Sequence, residues 1–171
     1  MAELLIYGNP FSTYTRTARM ACEEKGVAYL LEPVDFTAPA YRAIHPFGKI
    51  PALRHGDFKL YETLAICRYV DDAFDGPALQ PGETKETALM WQWISATLDY
   101  IYPAMVEKLV MERLVAPMKG KAADEAVVAS ALPDMTEQLA VLDEALTGKT
   151  YLAGETHSLA DMFLYPVLFY V

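Results

Sequence analysis

Cysteine is scarce in this chain: the 171 residues hold two, Cys22 and Cys67, which lie far apart and match neither a CxxC pair nor a metal-ligand spacing. Histidine is nearly as rare, and its three copies at positions 45, 55 and 157 are too scattered to outline a metal cluster. Positive charge is also short. Fourteen Lys and Arg face 23 Asp and Glu, a net of −9 with pI near 4.7, which repels a phosphate backbone and argues against a nucleic-acid partner. Long apolar runs are missing too. The longest, Met162 to Val171, is ten residues with Pro166 inside it, too short to span a bilayer, so no membrane partner is expected. Glu3 stands where a secretory signal would want Lys or Arg, which favours a cytoplasmic location.

What is present is enough for a core: 53% hydrophobic against 22% charged residues excludes a disordered chain. Charge is uneven, with a net of −2 over residues 1–75 and −7 over residues 76–171. Between the two lies Asp75-Gly76-Pro77-Ala78-Leu79-Gln80-Pro81-Gly82, a Gly- and Pro-rich stretch that reads as a linker. The domains expected are therefore 1–75 and 85–171, with 76–84 between them.

The first part alternates. Leu4 to Tyr7 suits a buried strand closed by Gly8-Asn9-Pro10, and Thr13 to Lys25 has helical spacing with Gly26 as a stop. Val27 to Leu31 reads as a second strand. Pro51 to Leu53 and Phe58 to Leu60 read as a hairpin about His55-Gly56-Asp57, and Glu62 to Phe74 as a helix. The second part carries helical periodicity alone: Thr84 to about Val115 with a kink expected at Pro103, Asp124 to Leu146 with another at Pro133, and a last helix opened by Ser158-Leu159-Ala160-Asp161. The fold class is thus α/β followed by all-α.

Three features could carry chemistry. Ser12, between the first strand and first helix, either caps the helix or joins its N-terminal amides in holding an anion. No GxSxG surrounds it, which disfavours serine-hydrolase chemistry. In His45-Pro46-Phe47-Gly48-Lys49-Ile50-Pro51, the last proline is either an edge proline or a cis-proline that turns backbone groups toward a ligand. Glu62-Thr63 puts an acid and a hydroxyl at a helix opening, where a carboxylate also suits the dipole.

The order and spacing of these three features resemble the cytosolic glutathione transferases, above all the serine-type classes such as phi, theta and delta. The Ser158 to Asp161 motif resembles that family's capping box in the second domain. The resemblance implies a thioredoxin-like domain followed by a helical bundle domain, with glutathione as co-substrate and a small electrophilic substrate, in a homodimer. It implies that Ser12 hydrogen-bonds the glutathione sulfur and that Lys49 lies near the glycyl end or the backbone of the tripeptide. It further implies that Ile50 pairs its main chain with the cysteinyl part beside a cis Pro51, and that Glu62 and Thr63 hold the γ-glutamyl amine and carboxylate. The segment Phe36 to Ile44 is several residues shorter than in phi enzymes, which leaves Arg42 as a candidate for the glycyl carboxylate.

Tyr7 competes with Ser12, because tyrosine-type members of the superfamily use a Tyr at the end of the first strand; Thr13 and Tyr14 are weaker rivals. Cys22 and Cys67 read as buried structural thiols rather than redox groups. The function expected is conjugation of electrophiles to glutathione in detoxification, with peroxide reduction as a variation. The alternative is a non-catalytic binding or dimerisation module of the same fold. Family members generally continue for a few more helices, so the chain is expected to be incomplete at its C-terminal end.

Overall fold

The computed structural model describes residues 3–171, which form two compact units divided between Leu79 and Gln80. In the first unit, the apolar run Leu4–Tyr7 forms β1, and α1 spans Thr13–Glu24. Strand β2 covers Leu30–Glu32, a single 3₁₀ turn Pro39–Ala43, and β3 (Ala52–His55) pairs with β4 (Phe58–Tyr61) before α2 (Thr63–Ala73). The strands lie in the order β2-β1-β3-β4, with β1 and β2 parallel and the other two pairings antiparallel. The parallel pair needs a crossover, which α1 supplies; the β3–β4 turn is two residues long, with Gly56 at φ 59.

Helices α1 and α2 pack on one another through Ala18, Ala21, Cys22, Ile66, Cys67 and Val70, all fully buried with Ile6 and Leu53 of the sheet. The second strand starts three residues later than Val27. It is an edge strand whose Leu30 is half exposed, so its limits follow its register with β1 (Leu5 opposite Leu30) and not its own apolar run.

A buried ion pair closes this unit. Lys25 Nζ lies 3.1 Å from Asp71 Oδ1, and the same carboxylate oxygen accepts the Leu79 N–H at 2.9 Å. Gly76, at φ 130, passes so near the main chain of Lys25 that a Cβ there would lie 2.7 Å from its carbonyl oxygen. Leu79 itself is fully buried. The first half of the Gly- and Pro-rich stretch is therefore part of this unit's structure.

The second unit is helical. Helix α3 (Thr84–Ala96) runs on through wider turns at Thr97–Ile101 and Pro103–Val115 into a short α4, Ala116–Met118. In the wider turns the N–H reaches the carbonyl five residues back, as from Tyr102 to Thr97 and from Ala116 to Met111. Proline at 103 removes a donor, yet Tyr102 keeps helical dihedrals of −60° and −46°. Where a kink was expected at Pro103, the helix continues as a π-helical ladder.

Helix α5 (Glu125–Leu146) is continuous through Pro133 and starts at Asp124, whose side chain accepts from the N–H groups of Ala126 and Val127. Helix α6 (Leu159–Leu168) opens with a full capping box between Ser158 and Asp161. Asp161 also accepts the Leu152 N–H at 3.0 Å, which ties the preceding loop to the helix. Met90, Ile94, Met105, Leu159, Met162 and Val167 fill this core. Among the described residues no helix is long and apolar enough to cross a membrane.

Candidate functional site

The sheet register brings the three sequence features to one end. Tyr7 of β1 lies opposite Ala52 of β3, and Ala52 opposite Tyr61 of β4. Tyr7 ends its strand before the turn to Ser12, Ala52 begins its strand after Ile50-Pro51, and Tyr61 ends its strand before Glu62-Thr63. Adjacent strands are about 4.8 Å apart, so the three connections leave the sheet side by side within roughly 10 Å.

Ser12 is the N-cap of α1 (φ −69°, ψ 127°), and its Oγ accepts the Thr15 N–H at 3.3 Å. Capping does not consume the hydroxyl, which has one O–H to donate and two lone pairs. The side chain is half-buried, and the first turn of α1 contains no acidic residue to offset the positive end of its dipole. Gly8 lets this helix start close to the strand end: a Cβ there would lie 2.5 Å from Thr15 Oγ1 and 2.7 Å from its Cγ2. Thr15 is fully buried and cannot swing aside, so residue 8 must lack a side chain.

The Ile50–Pro51 peptide bond is cis, and Pro51 is buried while Ile50 is half-buried. Among the described residues no hydrogen bond engages the main chain of Ile50, although β3 pairing begins two residues later. Lys49 is exposed and makes no ion pair there. Arg42 is also exposed but partly committed, since its Nη1 donates to the Pro46 carbonyl at 2.8 Å. That bond holds the guanidinium beside Gly48, and its remaining N–H groups stay open to a carboxylate.

Glu62 is the N-cap of α2 and takes φ 71°, the one non-glycine residue with positive φ among those described. Such a conformation costs on the order of 1–3 kcal/mol and survives where the surroundings enforce it, typically at ligand sites. The Glu62 carboxylate makes no capping bond and is exposed, whereas Thr63 is 7% exposed at the first position of the helix. An acceptor for an ammonium group therefore stands next to free helix N–H groups and a hydroxyl that suit a carboxylate.

The rivals are distributed differently. Tyr7 is half-buried; the Tyr41 hydroxyl is pushed up to about 12, mainly by burial and secondarily by Tyr7. Thr13 is buried, with its carbonyl accepting the Thr17 hydroxyl at 3.2 Å. Cys22 and Cys67 are fully buried; burial, with Glu23 adding to it, pushes the Cys22 thiol up to about 12 and burial raises Cys67 further.

Two residues at this end were not marked by the sequence as part of the site. Gly8 was visible only as a turn residue. His45 was visible only as the start of a motif, although a histidine amid apolar neighbours is itself a signal; it is buried against Tyr61.

A mixed four-stranded sheet of this order with a cis-proline leading into β3, followed by an all-helical unit, defines a thioredoxin-like domain joined to a helical domain. Residues 6–78 match the family profile described as "Glutathione S-transferase, N-terminal domain", and residues 101–171 that described as "Glutathione S-transferase, C-terminal domain". The chain is 34% identical over 168 residues to a probable glutathione S-transferase of Oryza sativa subsp. japonica, covering 95% of this chain and 78% of that protein. It superposes on the structure of glutathione S-transferase III in apo form with a TM-score of 0.90 and 35% identity, over 99% of this chain and 81% of that one. It also matches maize glutathione S-transferase I in complex with an atrazine glutathione conjugate, at TM-score 0.86 and 31% identity over 98% and 80% of the two chains. The chain belongs to the glutathione S-transferase family.

Proposed function

We propose that the chain is a glutathione transferase of the serine type, in which glutathione is the co-substrate and Ser12 Oγ donates its hydrogen bond to the sulfur. The thiolate so held attacks a small electrophile, and peroxide reduction uses the same nucleophile. What supports this reading is the row Tyr7, Ala52, Tyr61 across the sheet, from which Ser12, Ile50-Pro51 and Glu62-Thr63 depart at one end. In this reading the Ile50 main chain pairs with the cysteinyl residue beside Pro51. Glu62 takes the γ-glutamyl ammonium and Thr63 the neighbouring carboxylate. Lys49, with Arg42, faces the glycyl carboxylate.

The energetics suit one serine. A free thiol of pKa about 8.5 is only a few per cent thiolate at neutral pH. Lowering that pKa by about two units needs about 2.7 kcal/mol of preference for the anion. A hydrogen bond to a charged acceptor supplies about 1.5–3 kcal/mol, and the helix N-terminus about 0.3–1 more. The family resemblance extends the reading to a homodimer that works in detoxification in the cytoplasm; sedimentation of the purified chain checks the dimer.

Ser12→Ala tests the assignment. It retains glutathione binding, raises the bound thiol's pKa as read by thiolate ultraviolet absorbance, and lowers kcat/KM with an aryl halide by about 10- to 150-fold, the equivalent of about 1.5–3 kcal/mol. Unchanged absorbance and rate would transfer the role to Tyr7 or Thr13. Glutathione binding without turnover of any electrophile or hydroperoxide would identify a binding module.

A further inference from the structure

His45 opens the segment that carries Lys49, Ile50 and Pro51, yet no step above uses it. Its ring is 2% exposed and boxed by aromatic rings: Tyr41 at 6.4 Å between centroids, Phe47 at 6.2 Å and Tyr61 at 4.9 Å. Nδ1 is buried with no hydrogen-bond partner. The main chain is fixed as well, since the His45 N–H donates to the Tyr41 carbonyl at 3.0 Å and its carbonyl accepts the Gly48 N–H at 2.9 Å. Tyr61, the nearest ring, ends β4 and directly precedes Glu62. One side chain thus wedges the loop leading to Ile50-Pro51 against the strand end leading to Glu62-Thr63.

We propose that His45 is a positioning residue of the glutathione site that seats Glu62-Thr63 against the loop only as the neutral imidazole, so that protonation of His45 and binding of the γ-glutamyl arm exclude one another. This rests on the function proposed above. An imidazolium here would carry a second N–H donor into a box that lends it only the residue's own main chain, already engaged by the Gly48 N–H, and the desolvation cost exceeds what that contact and the aromatic rings return.

The charged and titratable groups around the ring are few. On its own segment, Tyr41 is a neutral phenol and Lys49 repels a second cation; the Arg42 guanidinium is held at the Pro46 carbonyl. From β4 and α2 come Tyr61 and Glu62; the Glu62 carboxylate attracts the imidazolium, as, more weakly, does the main chain of His45 itself. From β1, the Tyr7 phenol acts electrostatically on Tyr41. Burial outweighs Glu62 and holds His45 below its ordinary pKa. An ammonium group bound at Glu62 would share that attraction and drive the proton off His45 more readily. Linkage then requires the converse: a proton on His45 weakens the ligand.

The test uses the whole chain and S-methylglutathione, which has no thiol to titrate, with Kd measured by calorimetry from about pH 8 to about pH 4, from above the ordinary histidine range to well below it. The expected result is a Kd that is flat at high pH and rises toward about tenfold per pH unit below the His45 midpoint. His45→Phe keeps a flat ring without a proton and loses this acid limb. A limb that survives in His45→Phe with the same midpoint, or a wild-type Kd flat over the whole range, overturns the proposal. Should His45→Phe not fold, the wild-type chain decides by NMR: saturating S-methylglutathione lowers the midpoint of the His45 ring protons, and an unchanged or raised midpoint overturns the proposal. No binding at any pH would overturn the proposed function together with this inference, whereas binding with a His45-independent profile overturns the inference alone.

Discussion

At the scale of single residues, Ser12 and Glu62 show two ways in which a side chain can serve a fold and a ligand together. Ser12 spends a lone pair on Thr15 and keeps its proton, so the cap fixes the direction of a donor that remains free. Glu62 instead serves the site against the interest of the backbone, since its φ of 71° suits glycine better. Glu62→Gly should therefore stabilise the chain, by up to about 1 kcal/mol in thermal or denaturant melts. The same variant should weaken glutathione binding about ten- to hundredfold, the loss of a charge-assisted bond. Glu62→Gln retains the strained backbone and removes only the charge, so it should lose affinity with no gain in stability. If Glu62→Gly destabilises the fold, the backbone at this position is not strained.

At the scale of elements, the strength of each signal followed its physical origin. Helices α1, α2, α3 and α5 were legible because an apolar stripe at helical spacing is what a one-sided core demands, and α6 because its cap is written in Ser158 and Asp161. The limits of β2 were not legible, because an exposed edge strand takes its register from β1. The consequence of Pro103 was also hidden: a missing donor can end a helix or widen its turns, and the surrounding packing decides. In the site, residue types and spacing indicated which groups meet. Neither spacing nor periodicity could show the left-handed backbone of Glu62 or the burial of His45, both of which arise from tertiary packing.

The α1–α2 pair adds a prediction at this scale. Lys25 and Asp71 have side chains 4% and 7% exposed, so Lys25→Met leaves a buried carboxylate without its cation and should cost about 3–5 kcal/mol in denaturant unfolding. Adding Asp71→Leu should recover part of that loss, because two apolar groups leave no stranded charge. A Lys25→Met chain as stable as the parent would show that the pair is not desolvated.

At the scale of the whole molecule, charge and composition narrowed the class without reaching the chemistry. The excess of acid argued against polyanion partners but was silent on a tripeptide whose recognition needs only a few polar groups. The boundary between the units falls between Leu79 and Gln80, inside the Gly- and Pro-rich stretch. Sequence composition could mark that stretch but not divide it, since the division depends on the bond from Leu79 to the buried Asp71 carboxylate.

Burial of both cysteines has a consequence for an enzyme that handles electrophiles. Cys22 and Cys67 are the only thiols in the chain, both are fully enclosed, and burial keeps both protonated far above neutral pH. A catalyst whose substrates are alkylating agents is exposed to suicide by its own feedstock, and this one presents no thiol of its own to them. Incubated with iodoacetamide at neutral pH, the native chain should gain no mass, and the unfolded chain two adducts. Labelling of the native chain would reveal an opening motion between α1 and α2. Without it, the accessible thiol in the reaction mixture is the one that glutathione brings.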